Sequence, residues 1–170
     1  MQRPLATEYN PYFQGYIDLV EEGDFSDLLN SNTTKATQLF GGIPPGKHDY
    51  RYATDKWSVK EVLMHLIDTE RVMSYRALVA ARGDSETPLH PMDENMYARN
   101  ADVSGRSMEN LLKEFTAVRT ATELLLTNLT DAQSQLPGNA MGRIFTPRAL
   151  GYIMIGHVEH HIKVINERYL

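Results

Sequence analysis

The hydrophobic positions of this chain fall into four stretches with helical spacing, and no stretch alternates as a strand would. The first runs from about Asp24 to Phe40. Phe25, Leu28 and Leu39, and less regularly Leu29 and Ala36, mark its apolar side, and a short amphipathic piece from Tyr12 to Val20 precedes it. Gly41-Gly42-Ile43-Pro44-Pro45-Gly46 then stops any helix. The second starts at Ser58, an N-cap residue, with Glu61 completing a capping box, and runs to about Arg82. Val59, Val62, Leu63, Leu66, Met73 and Ala77 give it one apolar face. A long irregular connection through Pro88, Pro91 and Gly105 follows, with one short turn near Asp93 to Tyr97; connections of this length often line a site. The third helix spans about Ser107 to Leu129, with Leu111, Phe115, Val118, Thr122, Leu125 and Leu129 in its stripe. A polar loop with Pro137, Gly138 and Gly142 leads to Thr146-Pro147, an N-cap followed by Pro at the first helical position, and a fourth helix that continues nearly to the end. The pattern predicts an all-α fold, a four-helix bundle of up-and-down type with a crossover in the long connection, forming one domain over residues 1–170.

Composition narrows the class. With 170 residues, 42% of them hydrophobic, the chain is large enough to bury a core without disulfides. It contains no Cys, which excludes thiolate metal sites, iron–sulfur clusters and a cysteine nucleophile. Seventeen basic residues against 22 acidic ones leave a formal charge of −5 with no basic block, so the electrostatic footprint of a nucleic-acid or anionic-membrane binder is missing. No apolar run approaches the roughly 20 residues that span a bilayer, and the first residues do not resemble a signal peptide; a soluble, cytoplasmic protein is expected.

The candidate chemistry lies in the histidines. Stepping about 100° per residue from Leu150 puts Ile153, Met154, Val164 and Ile165 on one face, with His157 and His161 within roughly 20° of its centre. His160 falls at the edge of this stripe and Glu159 on the opposite face. Two readings fit a central pair one turn apart. Both rings are ordinary core histidines satisfied by hydrogen bonds, or both converge on one metal ion, which would occupy nitrogens that are costly to bury unpaired. A third ligand would come from another helix. His65 lies on the shoulder of the second helix's stripe, and Glu70 near its centre. Glu70 is either a buried carboxylate paired with an Arg or Tyr, or a hydrogen-bond acceptor or general base of the site. Asp68 points away from the core as a solvated charge, and His48 and His90 lie in exposed loops.

Several mechanisms are excluded. His157-Val158-Glu159-His160-His161 lacks Glu after its first His, so it is not the zincin motif; no helix carries Glu-x-x-His, and there is neither a phosphate-cradling Gly loop nor a Gly-x-Ser-x-Gly elbow. An all-imidazole ligand set suits Zn, Ni, Cu or Fe rather than Mg or Ca, and three ligands leave a position open for catalysis.

The run from Trp57 through His65 and Glu70 to Arg71, together with Gly156-His157-Val158-Glu159-His160-His161, resembles the DinB-like superfamily, including the YfiT-like metal-dependent hydrolases. The resemblance extends from about Trp57 to the end of the chain. It implies a four-helix bundle, often a homodimer, whose divalent metal is held by one His of the second helix and a His-x-x-x-His pair of the last. Those positions here are His65, His157 and His161. It also implies either hydrolysis of a small molecule or transfer reactions that use a low-molecular-weight thiol such as bacillithiol, mycothiol or glutathione. With no Cys in the chain, any sulfur nucleophile would be such a thiol. The leading expectation is therefore an enzyme with Zn or Ni on three histidines, with Glu70 as the candidate for positioning or proton transfer and the loops 83–105 and 130–146 shaping a substrate pocket. The rival expectation is a non-catalytic, stress-associated bundle that binds a metal or ligand.

Overall fold

A computed structural model describes residues 1–170. Its architecture is a bundle of four long helices: α2 (Phe25–Gly42), α3 (Val59–Ala81), α5 (Met108–Thr127) and α7 (Pro147–Arg168). The shorter helices are α1 (Gln14–Ile17), α4 (Glu94–Asn100) and α6 (Asp131–Ser134). No helix is long and apolar enough to cross a membrane.

Local chemistry accounts for where the helices begin. The side chains of Asp24, Ser58, Ser107 and Thr146 each accept hydrogen bonds from backbone N–H groups of the first turn, and Ser58 and Glu61 form the reciprocal capping box. The end of α2 differs from expectation: the helix runs through Gly41 and Gly42. It stops where Pro44 forces Ile43 into extended backbone (φ −71°, ψ 128°).

The buried stripes also differ in detail. That of α2 is Phe25, Leu29, Asn32, Ala36 and Phe40, while Leu28 and Leu39 are only half-buried. Asn32 is inside because its Nδ2 donates to the Ile155 carbonyl (3.3 Å) and to Glu159 Oε1 (2.9 Å) on α7. The α5 stripe runs Met108, Leu111, Phe115, Arg119, Thr122 and Leu126, so a charged residue stands in its middle.

Around the bundle, α2 packs on α5 and α7, and α3 packs on the same two helices, which leaves α2 and α3 across a diagonal. Simple up-and-down neighbours are thus not what forms. The long connection 83–106 joins the adjacent pair α3 and α5, and the crossings are made instead by residues 43–58 and 128–146. The sequence also conceals a two-stranded antiparallel hairpin, β1 (Gly138–Ala140) and β2 (Arg143–Phe145). Its turn residues Met141 and Gly142 both have positive φ (52° and 78°), the geometry of a tight hairpin turn, and Asn139 Oδ1 accepts from Gly142 N at 2.7 Å. Strands of three residues are too short to alternate visibly.

The N-terminal segment is strapped to the start of α7. Glu8 accepts hydrogen bonds from Arg148 Nε (2.6 Å) and Thr146 Oγ1 (2.9 Å), and Arg3 Nη2 donates to the carbonyls of Ile17 and Val20, both at 2.8 Å. The strap lies so close to α7 that a Cβ built on Gly156 would stand 1.9 Å from the Tyr16 carbonyl oxygen. Backbone cannot yield as a flexible side chain can. Gly156→Ala should therefore cost about 2–3 kcal/mol in urea unfolding, whereas Gly46→Ala, with nothing near its Cβ, should change stability by less than about 0.5 kcal/mol.

Candidate metal centre

Between two apolar clusters of the bundle lies a layer of polar side chains. His65 and Thr69 come from α3, one turn apart. His157 and His161 come from α7, also one turn apart, and both helices turn these residues inward. His65 and His157 are 5% and 6% exposed, so the shoulder position assigned to His65 by periodicity is in fact interior.

The three rings converge through their Nε2 atoms. His157 Nε2 lies 3.0 Å from His65 Nε2 and 3.2 Å from His161 Nε2. One ligand atom from each histidine falls within 4.8 Å of the others. A ring nitrogen carries either one proton or one lone pair, so His157 Nε2 can make one well-directed hydrogen bond, not two. His161 Nδ1 is buried without any partner. Hydrogen bonding alone therefore leaves the shared Nε2 contact unsatisfied, while His161 Nδ1 stays unpaired with or without an ion on Nε2. A cation fits that contact better: tetrahedral bonds of 2.0–2.1 Å would separate ligand nitrogens by about 3.3 Å. Thr69 Oγ1, 3.3 Å from His65 Nδ1, can accept that ring's other proton and leave Nε2 free to ligate. The Trp57 ring packs against His65 with centroids 4.6 Å apart, limiting its rotation.

Burial is the main reason these imidazoles stay neutral. It pushes His65 down to about 4, with His160 adding repulsion, and His161 down to about 3, with His65 and His160 adding to it. His157 is driven well below its ordinary range by burial first, then by His161, His65 and His160, and last by Arg119. Neutral imidazole is the ligating form.

Glu70 does not join the histidines. It is buried against Arg119 of α5, Oε2 to Nη2 at 2.8 Å, and the Phe115 ring lies 5.4 Å below the guanidinium. Burial raises its carboxyl against the pull of Arg119, and no hydrogen bond links it to His65, His157 or His161. The acceptor next to His65 is Thr69 instead. Asp68 is also not a free solvated charge: it is half-buried, 3.6 Å from Arg71 Nη1, and burial raises its carboxyl. His48 is half-buried, its Nε2 2.9 Å from the Ile43 carbonyl, whereas His90 is exposed as expected. His160 stands beside the cluster, its ring against those of Tyr16 and His161. Glu159 faces α2, near Asn32 and Lys35.

A cavity of about 540 Å³ opens onto the cluster, with His65, Thr69 and His157 in its wall. Both expected loops contribute, through Pro91 to Glu94 and through the β-hairpin. Tyr12, Phe13 and Tyr16 form a further wall that the motifs do not signal. The Tyr16 ring meets His157 edge-on at 5.4 Å, a placement set by the close crossing at Gly156.

Two measurements test this layer. For the buried ion pair, Glu70→Leu should cost about 3–5 kcal/mol by stranding the Arg119 charge. Glu70→Leu combined with Arg119→Leu should cost less than the single change, and urea midpoints compare them. For the histidines, the folded pKa values lie below the unfolded value of 6.5, so the unfolded chain binds more protons as pH falls. Stability of the metal-free protein should accordingly fall from about pH 6.5 towards 4, by about 1.4 kcal/mol per unit for each histidine kept neutral. His65→Phe should flatten that slope.

Residues 28–165 match the DinB superfamily. No curated protein matches the chain. Among solved structures, YfiT from Bacillus subtilis, described as a probable metal-dependent hydrolase with an unusual four-helix bundle topology, superposes with a TM-score of 0.74 at 21% identity, over 98% of this chain and 90% of that one. A mycothiol-dependent maleylpyruvate isomerase superposes with a TM-score of 0.68 at 11% identity; 82% of this chain aligns, and it spans 58% of the isomerase. At such identities these likenesses establish the fold. With most of its length matched, the chain belongs to the DinB superfamily.

Proposed function

We propose that this protein is a metal-dependent hydrolase of a small molecule, with a divalent transition metal, Zn or Ni, held by His65, His157 and His161. The observation that carries the reading is the convergence of three Nε2 atoms, from the buried His65 and His157 and the half-buried His161, in a hydrogen-bonding arrangement that cannot satisfy them, at the wall of a cavity of about 540 Å³. The description of the Bacillus protein as a probable metal-dependent hydrolase supports it. When bound, the ion would supply Lewis acidity, polarising a carbonyl and bringing the pKa of a nucleophile towards about 7. The chain's residues do the rest. Thr69 accepts the His65 Nδ1 proton and fixes that ring's tautomer. Phe13, Met73 and Phe145 exclude water from the bound substrate. Glu70 and Arg119 act as a positioning pair that sets the packing of α3 on α5, not as groups touching substrate.

A thiol-dependent S-transferase is the second reading. It rests on the mycothiol-dependent structural neighbour and on the absence of Cys from a chain whose cavity could admit an external thiol. Assays of metal-loaded protein against small esters and amides, and against thiols paired with an electrophile, separate the two. Turnover should vanish with chelator, return on adding metal, and fall at least about hundredfold in His157→Ala. Saturable metal binding with no turnover in either panel would favour the non-catalytic bundle, and turnover indifferent to chelator would contradict the proposal.

A further inference from the structure

Two arginines approach the cavity from different elements, far from the histidines. Arg76 lies on α3, eleven positions after His65, on the face that carries Thr69, Val72 and Met73 into the same cavity. Arg143 opens β2 beside the hairpin turn. Arg76 Nη2 donates to the His90 carbonyl at 2.7 Å, which ties the guanidinium to the loop 83–93. Neither guanidinium belongs to any ion pair of the protein, although most other arginines near a carboxylate do. Arg76 is half-buried, and it shares one cavity wall with Arg143; burial first, and then the Arg143 charge, lower its proton affinity.

The cavity's two carboxylates, Asp93 and Glu94, form no ion pair with either guanidinium. Asp93 is engaged as the N-cap of α4, accepting from Met96 N at 2.9 Å. Glu94 shares the cavity lining with Tyr16, whose hydroxyl is held protonated by burial first, then by Tyr12 and Glu94. Two guanidiniums that line one cavity with no carboxylate paired to either are suited to an oxyanion, which would answer both charges at once. Guanidinium is suited to that task because its planar fork matches two oxygens.

The wall between the two ends is apolar: Val72, Met73, Met92, Ile144 and Phe145. Eleven residues of helix rise about 16 Å, so the Arg76 and His65 ends of the cavity stand on the order of 10 Å or more apart.

We propose that the cavity binds a small, largely apolar molecule bearing an anionic oxygen group, a carboxylate or a phosphate. Arg76 and Arg143 hold that group, and the bond to be broken lies on the order of 10 Å away at the histidines. The histidine end of this assignment rests on the hydrolase reading above; the arginine end stands on its own geometry.

Calorimetric titration of the protein as purified with its metal tests it, using phenylbutyrate, phenylbutyl phosphate and neutral phenylbutyramide as probes. At least one anion should bind about tenfold or more tightly than the amide. Arg76→Gln and Arg143→Gln should each remove most of that preference, leave the amide's affinity unchanged, and leave metal content unchanged by elemental analysis. The order of the two anions assigns the headgroup. Arg143 is exposed at the hairpin, so its substitution tests the site without disturbing the bundle. Equal binding of anion and amide, or a preference that survives both substitutions, would overturn the proposal. An anion preference in protein that holds no metal would keep the arginine site and remove the hydrolase reading instead.

Discussion

A layer of buried polar groups cuts through the middle of this bundle, and most of the remaining structure accommodates it. Each long helix contributes: Asn32 from α2, His65, Thr69 and Glu70 from α3, Arg119 and Thr122 from α5, His157 from α7. Above and below it the packing is apolar, with Phe25, Leu29, Leu126 and Ile153 on one side and Phe40, Leu63, Leu111 and Ile165 on the other. Taking a carboxylate, a guanidinium and three imidazoles out of water costs several kcal/mol per unpaired group, and leaving any one of them without its partner costs most. The pairing of Glu70 with Arg119 meets part of that demand. The histidines, which have no counter-charge, meet theirs by staying neutral and turning their nitrogens on one point. The layer thus has two halves, one that sets a carboxylate against a guanidinium and one whose donor set suits a cation.

The cavity is built around the second half from pieces that lie far apart in the chain. The strap before α2 reaches its place because Gly156 permits backbone to touch backbone, which brings Tyr16 over His157. The hairpin 138–145 and the loop 83–93 complete the walls, with Met92 Sδ 4.0 Å from Thr69 Oγ1. A rigid helical frame carries the groups that must be held in fixed geometry, and the connections carry those that shape access to them.

The long helices were legible because their caps and apolar spacing agree: Ser58 with Glu61, and Thr146 with Pro147, begin α3 and α7 where the pattern says they should. His157 and His161 were legible for the same reason, standing where an apolar side chain was due. His65 was harder to place by phase, because its stripe is wide: nearly the whole first half of α3 is buried. Polar residues at core positions hid the rest. Arg119 occupies the centre of the α5 stripe and Asn32 that of α2, and a reading keyed to apolar residues passes over both. Their partners, Glu70 and Glu159, are distant in sequence, so no local pattern announces the pairing. The hairpin was illegible because three-residue strands carry no period. The order of helices around the bundle depends on which diagonal a connection crosses, and composition does not encode that.

The central claim is that three imidazoles share one ion. X-ray absorption at the metal edge, on protein purified without an affinity tag or chelating column, addresses it directly. The account predicts one transition metal per chain with three imidazole nitrogens at about 2.0–2.1 Å and a non-imidazole ligand such as water completing the shell, and one fewer imidazole in His161→Ala. Protein that takes up no metal after equilibration with Zn²⁺ and Ni²⁺, or a shell unaltered by that substitution, would contradict it.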